Sequence, residues 1–437
     1  MLINYHYFTV KTLARYAGLE EKTAQFIAYF SQYVDDYIIR KPFIVDREPP
    51  GFFLKNGLAA KLSKNRWVFA PCPTGFSLFN SRSHDYQLHT LMPFHFILRV
   101  PLFDLPQNAN RNCYRCVIAS QNDKLLINRL LQESVKKVDL KDKTSLMALG
   151  MMIHIFADTY SHNGFSGFHG WENEFYIAGL EATCPWLEKS YSSYKLRDPL
   201  PQAVFSPKAP NCHLSLAEKY FFRTLPSIGH CNADSVTDHC ERKILLHAKR
   251  HNAGQLEHFI ERDNSETFAD CSKQILDLFC KINGKSALND ADWQELRLKL
   301  AKAQDITRQG NIEANKKIWP LIFPDISYHY HKNEFFKIKL QHDKHKNRKL
   351  LDKLDVDRKE LSDPYSEEGD QARAVFPMIA KNVNDLFFSY NELAYKHVFI
   401  MTGEYLSPGS IELISNYRKF ASQSKAEPTD YDFSHSR

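Results

Sequence analysis

The stretch from Lys141 to His162 limits what this chain can fold into more than any other. Apolar side chains run round its whole helical circumference (Leu146, Met147, Leu149, Met151, Met152, Ile153, Ile155, Phe156). A helix that is apolar on every side is buried on every side, so this one is expected at the centre of the fold with other elements packed around it. Inside it stand three polar groups, His154, Asp158 and His162, at spacings of four. That spacing puts them on nearly one side of the helix, spread over about 12 Å of axis. Unpaired polar groups in an apolar helix cost free energy, so they need a shared reason to be there.

The chain offers enough material for a large core. Its 437 residues are 43% hydrophobic and 13% aromatic, which excludes a mostly disordered chain. The formal charge of +6 is too small to mark a nucleic-acid-binding surface by itself, yet it permits an anionic substrate. No apolar run approaches the roughly 18 to 20 residues of a membrane span, so an integral membrane protein is not expected. The opening residues Met1 to Tyr7 lack the charged, apolar and small-residue segments of a secretory signal. A cytoplasmic location is expected, with export without a cleaved leader left open. The nine cysteines are odd in number and scattered, and they read as buried thiols rather than a disulfide framework.

Helical spacing recurs at Tyr7–Tyr16, Leu19–Tyr37, Asp123–Val138, Leu214–Thr224, Thr267–Ile282 and Asp290–Trp319, and again within Ala372–Met401. Strand signals are few and short. Between Arg40 and Pro106 prolines break the pattern into loops with some short strand or helix, and Asn163–Pro210 reads as irregular. The expectation is an all-α, multi-helix domain with long irregular loops. It covers residues 1–402, with candidate ligands within 1–240 and further helices within 267–402, and a polar tail follows over 403–437.

The polar triplet of the central helix has company in His6, Asp35, Asp36 and His95, and in His230, which is followed by Asp234 and Asp238. Several of these lie in apolar or aromatic runs, as in Pro93-Phe94-His95-Phe96. A shared metal cluster explains them economically, since imidazole and carboxylate are the ligands of binuclear hydrolases and one tetrahedral ion takes only four. Cys113-x2-Cys116 has no second cysteine pair at a suitable spacing and is read as coincidence. His84-Asp85 is read as a surface pair, and the histidines near Tyr328 as solvated.

The order His6, Asp35 or Asp36, His95, His154-x3-Asp158, His162, His230-x3-Asp234 resembles the ligand order of the zinc-dependent phospholipase C and single-strand nuclease superfamily. Locally, Ser-Gln-Tyr-Val-Asp-Asp, Phe-His-Phe, His-x3-Asp-Thr-x-x-His-x-Gly-Phe-Ser-Gly and Gly229-His230 resemble a bacterial family of uncharacterised proteins, over a span reaching to about Thr402. The superfamily resemblance implies an all-helical fold, two or three zinc ions and hydrolysis of a phosphate ester, in a phospholipid, a nucleotide or a nucleic acid. It implies catalytic roles for Asp35 or Asp36, which would bridge metals or orient the attacking water. The aromatic-rich segments Phe43–Phe96 and Phe165–Trp186 would line the substrate. The chain departs from the superfamily in two ways. It lacks the N-terminal tryptophan whose amino group binds zinc there, and its Asp158 to His162 gap is shorter. The carboxylate after His230 stays open between Asp234 and Asp238. A second reading belongs to another class: a non-catalytic helical metalloprotein acting as a binding or delivered interaction protein.

Overall fold

The computed structural model describes residues 1–40, 42–63, 65–77, 80–81, 83–119, 125–182, 227–231, 237–240, 242–248, 259–307, 312–341 and 378–405. A π-helical turn, Asn4–Thr9, leads into α1 (Val10–Tyr16) and α2 (Glu21–Asp36), followed by β1 (Phe43–Val45), β2 (Ala59–Ser63) and β3 (Arg66–Phe69). Next come α3 (Leu126–Lys137), α4 (Lys143–Ser161) and the strands β4 (Phe175–Ala182), β5 (Arg242–Ala248) and β6 (Phe259–Asp263). The chain continues with α5 (Asn264–Ile282), α6 (Asp290–Ile306), α7 (Ile312–Ile322), β7 (Lys339–Gln341), β8 (Met378–Lys381) and α8 (Asp385–Thr402). Contacts divide it into two compact units. The first comprises Met1–Ile38, Thr74–Lys332 and Ile400–Gly403, and the second Ile39–Pro73, Asn333–Phe399 and the residues from Glu404 on.

The expected central helix is α4. Asp142 caps its first turn by accepting from the backbone N–H groups of Thr144 and Ser145 at 3.2 and 2.9 Å, as an N-cap aspartate does. From Leu146 to Ser161 it is buried save for Ala148, and it packs on α2, α3 and α5. Gly150 lets α2 approach closely, because a Cβ there would sit 2.6 Å from the carbonyl oxygen of Ile27 and 3.0 Å from Phe30. The first unit also holds an antiparallel sheet of order β4-β5-β6, in which Ile244 pairs with Arg262. A layer of aromatic rings, in which Phe8 lies between Trp319 and Tyr328, secures the N-terminal helices to α7.

The second unit carries a five-stranded mixed sheet of order β2-β3-β1-β8-β7, parallel only where β1 meets β8. Its core is aromatic: Phe43, Phe53 and Phe69 pack against Phe387 and Phe388 of α8. The hydroxyl of Tyr395 donates to the carbonyls of Ala70 and Pro71.

The two sheets correct the all-α expectation: the protein mixes helix and sheet. The strands escape a periodicity reading because several are only three or four residues long, and β1 finds its parallel partner more than 300 residues away in β8. The substrate-lining role expected of Phe43–Phe96 is corrected in part, since Phe43, Phe53 and Phe69 are buried core residues of the second unit. The stretch expected as one helix over Asp290–Trp319 is recorded as two, α6 and α7. The expected helix 214–224 and the tail from 406 lie outside the described residues. Among the described residues no helix is long and apolar enough to cross a membrane.

Candidate metal centre

Four elements of the first unit converge on Asp158, one turn before the end of α4. The π-helical turn brings His6, whose Nε2 lies 3.1 Å from Asp158 Oδ1 and 3.9 Å from Asp35 Oδ2. The last turn of α2 brings Asp35, and the end of the short helix Met92–Phe94 brings His95, whose Nδ1 lies 3.0 Å from Asp158 Oδ2. His154, one turn earlier on α4, places Nε2 3.2 Å from the same oxygen and stacks on the His6 ring at 3.9 Å. Just beyond α4, His162 shares a second cluster with His230 and Asp238, with nitrogen to oxygen distances of 3.8 and 3.5 Å.

Among the described residues three trios can hold a metal ion: His6, Asp35 and His154; His95, His154 and Asp158; and His162, His230 and Asp238. The fit is visible in where each ring keeps its proton. His154 Nδ1 donates to the carbonyl of Ser31 at 2.8 Å, and His95 Nε2 donates to the carbonyl of Thr74 at 2.7 Å. His162 Nδ1 donates to the carbonyl of His95 at 2.6 Å. A carbonyl only accepts, so these three nitrogens carry hydrogen. In the neutral rings the opposite nitrogens are then lone pairs aimed at carboxylate oxygens, an arrangement that is repulsive until a cation lies between them. Backbone carbonyls that fix the tautomer in this way are the usual supports of metal-binding imidazoles.

For His6 and His162 the electrostatics agree. Burial holds His6 well below the ordinary imidazole value, reinforced by His154 and the N-terminal ammonium, and burial lowers His162 to about 3. For His95 burial acts in the same direction, but its bond to Asp158 and the charge of Asp35 outweigh it and raise the value. Burial raises the Asp35 carboxyl. Burial would also raise Asp158 and Asp238, but the N-terminal ammonium and neighbouring histidines hold both below the carboxylate range.

That ammonium belongs to Met1. It is buried, 2.8 Å from Asp158 Oδ1 and 3.4 Å from Asp238 Oδ1, and it also donates to Ser161 Oγ. Burial opposes its charge, yet Asp158, Asp238 and Asp35 together push its pKa up to about 11. No side-chain pattern could have revealed this group.

The structure therefore brings together His6, Asp35, His95, His154, Asp158, His162, His230 and Asp238. It does not bring in Asp36, which accepts from the hydroxyl of Tyr330 and faces Lys332. Asp234 lies outside the described residues, so of the two carboxylates considered after His230 only Asp238 is placed, and it is in the cluster. His84 and Asp85 join none of the trios, nor do Cys113 and Cys116, both free thiols.

Residues missed in the sequence hold the His230 side. Asn173 Nδ2 donates to the carbonyls of Ser166, Phe168 and Ser227, tying the turn after α4 to the segment that carries His230. Glu172, fully buried, takes a two-point contact from Arg111 beside it. Gly229 has φ of +51°, and a Cβ there would lie 2.3 Å from the Phe96 ring, so glycine is required for His230 to reach its place.

Fold and site define a protein of mixed helix and sheet with a buried histidine and aspartate cluster able to hold metal. The chain belongs to DUF6765, a family of unknown function whose model matches residues 1–405. No curated protein and no solved structure matches it.

Proposed function

We propose that this protein is a zinc-dependent hydrolase of a phosphate ester, with two or three ions held by the three trios. The observation that carries the reading is the convergence of imidazole lone pairs, their protons committed to backbone carbonyls, on Asp158 and Asp238. Bound zinc supplies charge neutralisation at phosphoryl oxygens and acidifies water to a pKa near 7.

The protein's own residues then have distinct tasks. Asp158, facing His6, His95, His154 and the Met1 ammonium, is the shared carboxylate around which the ligands are ordered. Asp35 is only partly buried, so its carboxylate lies at the accessible side of the cluster. Its raised pKa suits it to take a proton from an attacking water at Oδ1 or Oδ2 and to hold it. Three carboxylates against one ammonium leave the cluster anionic and unsuited to a phosphate. Divalent ions reverse that sign, which supports an anionic substrate. Lipid headgroups, nucleotides and single-stranded nucleic acid share the phosphoester, and a substrate panel separates them.

The test is metal analysis of protein purified without chelator, together with a panel of phosphomonoesters and phosphodiesters, on wild type and Asp158→Asn. More than one zinc per chain and hydrolysis of at least one ester are expected. Asp158→Asn should lose at least one ion and about 100-fold or more in activity, while helical content is retained. Wild-type protein without metal would sink the proposal. Metal without hydrolysis, with Asp158→Asn lowering only the melting temperature, would instead favour a metal-stabilised scaffold.

A further inference from the structure

We infer that Arg262-Asp263-Asn264, where β6 passes into α5, is a positioning clamp that sets the geometry of the His162, His230 and Asp238 subsite. The inference rests on the metal-binding reading above.

Its first jaw is Arg262. An α-helix leaves its last carbonyls without partners, and a buried helix end must find donors elsewhere. At the end of α4 the Arg262 guanidinium supplies them. Nη1 donates to the carbonyl of Ser161 at 2.7 Å and also reaches that of Asn163, while Nη2 donates to that of Tyr160. These carbonyls bracket His162, so the direction of its ring follows from where the fork holds the chain. The fork is planar with several fixed donors, which suits it to a fan of carbonyl oxygens better than the single ammonium of lysine. Arg262 is itself buried, and Asp238 is its principal favourable charge.

The second jaw is Asn264, fully buried two residues on. Its Nδ2 donates to the carbonyls of Thr237, at 3.2 Å, and His239, at 2.8 Å, the residues on either side of Asp238. Between the jaws Asp263 caps α5, accepting from the N–H groups of Ser265 and Glu266 and from the Ser265 hydroxyl. One short, anchored segment thus grips the backbone beside two of the three candidate ligands of this subsite. None of the hydrogen bonds described for Arg262 or Asn264 reaches His6, Asp35, His95, His154 or Asp158. A clamp should therefore act on one subsite alone, whereas a general loss of stability would act on all.

The test is cobalt(II) titration of the full-length protein, followed by the visible d–d absorption, in wild type, Arg262→Gln, Arg262→Lys and Asn264→Ser. Arg262→Gln is expected to weaken one ion by about 10- to 100-fold, the range typical of lost supporting groups around a ligand, and to leave the tighter ion and its spectrum unchanged. Arg262→Lys should recover part of the loss. If Arg262→Gln does not fold, Arg262→Lys and Asn264→Ser carry the comparison. Variants that bind every ion with wild-type affinity and spectrum would overturn the clamp, as would equal weakening of all ions. A wild-type protein that binds no cobalt removes the hydrolase reading instead, and the clamp is then judged on the His162 ring. With 15N-labelled histidine at fixed pH, wild type should show the Nδ1–H tautomer and the clamp variants a mixture. Identical ring spectra would overturn it.

Discussion

Two of the candidate subsites sit on successive turns of one helical stretch and are built differently. The inner one, His95, His154 and Asp158, has side chains no more than 4% exposed, anchored to the carbonyls of Ser31 and Thr74. The outer one, His162, His230 and Asp238, has side chains 6%, 18% and 10% exposed. Its parts come from the end of α4 and from the segments 227–231 and 237–240, held in place by Asn173, Arg262 and Asn264. The inner subsite is a product of helix packing, and its ligands are rigid because the core is. The outer subsite depends on polar supports that reach across the sequence. Ion retention should therefore be an inner property, and exchange with solvent or substrate an outer one.

The sharpest break in that comparison is His154→Ala set against His230→Ala. His154 belongs to two of the three trios, and its removal deletes the hydrogen bond to the Ser31 carbonyl, worth about 1 kcal/mol, and leaves a cavity in the core. His154→Ala should lose ions from both inner trios and melt well below wild type. His230 is partly exposed, so His230→Ala should lose only the outer ion and change stability by about 1 kcal/mol or less. Metal content and melting temperature measured side by side decide it. Equal ion loss in both variants would dissolve the distinction between the subsites.

Acid sharpens the comparison at the next level of effect. His6 and His162 are neutral in the folded chain because burial depresses them, whereas in the unfolded chain they titrate near the ordinary value of 6.5. The unfolded state then binds more protons below that value. Stability with chelator present should be intact above pH 6.5 with respect to these groups and fall as pH drops towards about 3, by at most about 1.4 kcal/mol per pH unit for each. His95, shifted upward, acts outside this window: its contribution is fully present below pH 6.5 and is lost as pH rises above it. Denaturant melts at stepped pH should be less steep for His162→Gln than for wild type. An unchanged slope would mean that His162 is not held neutral in the folded protein.

How far the sequence reveals this protein depends on whether the information is local. The central helix was legible because its apolar circumference and its spacings of four lie within one stretch, and the structure places α4 inside the expected limits. The candidate ligands were legible because imidazoles and carboxylates inside aromatic runs stand out by chemistry alone. The sheets were not, since the strand Phe43–Val45 means nothing until it meets Met378–Lys381. The supports were not legible either: Ser31 and Thr74 act through carbonyls that every residue has, and Met1 through its amino group. Arg262 lies in a strand that no periodicity marked.

Asp35 and Asp36 show the limit at its finest, and the smallest expected effect belongs to this pair. In the sequence they are equivalent, but a helix turns roughly 100° per residue, so adjacent side chains cannot face one target. Asp35 faces His6, His95 and His154, while Asp36 meets the Tyr330 hydroxyl and, at 4.0 Å, Lys332. Burial raises the Asp36 carboxyl, and the hydrogen bond from Tyr330 pulls it back. In Asp36→Asn the amide oxygen can still accept from Tyr330, and the lost ion pair involves an exposed lysine, so about 1 kcal/mol of stability or less is at stake. Metal stoichiometry should match wild type, whereas Asp35→Asn should weaken the ion shared by His6 and His154 and remove the proton acceptor. If Asp36→Asn loses an ion and Asp35→Asn keeps all of them, the last turn of α2 presents the other carboxylate to the cluster. The inner geometry would then have to be rebuilt around Asp36.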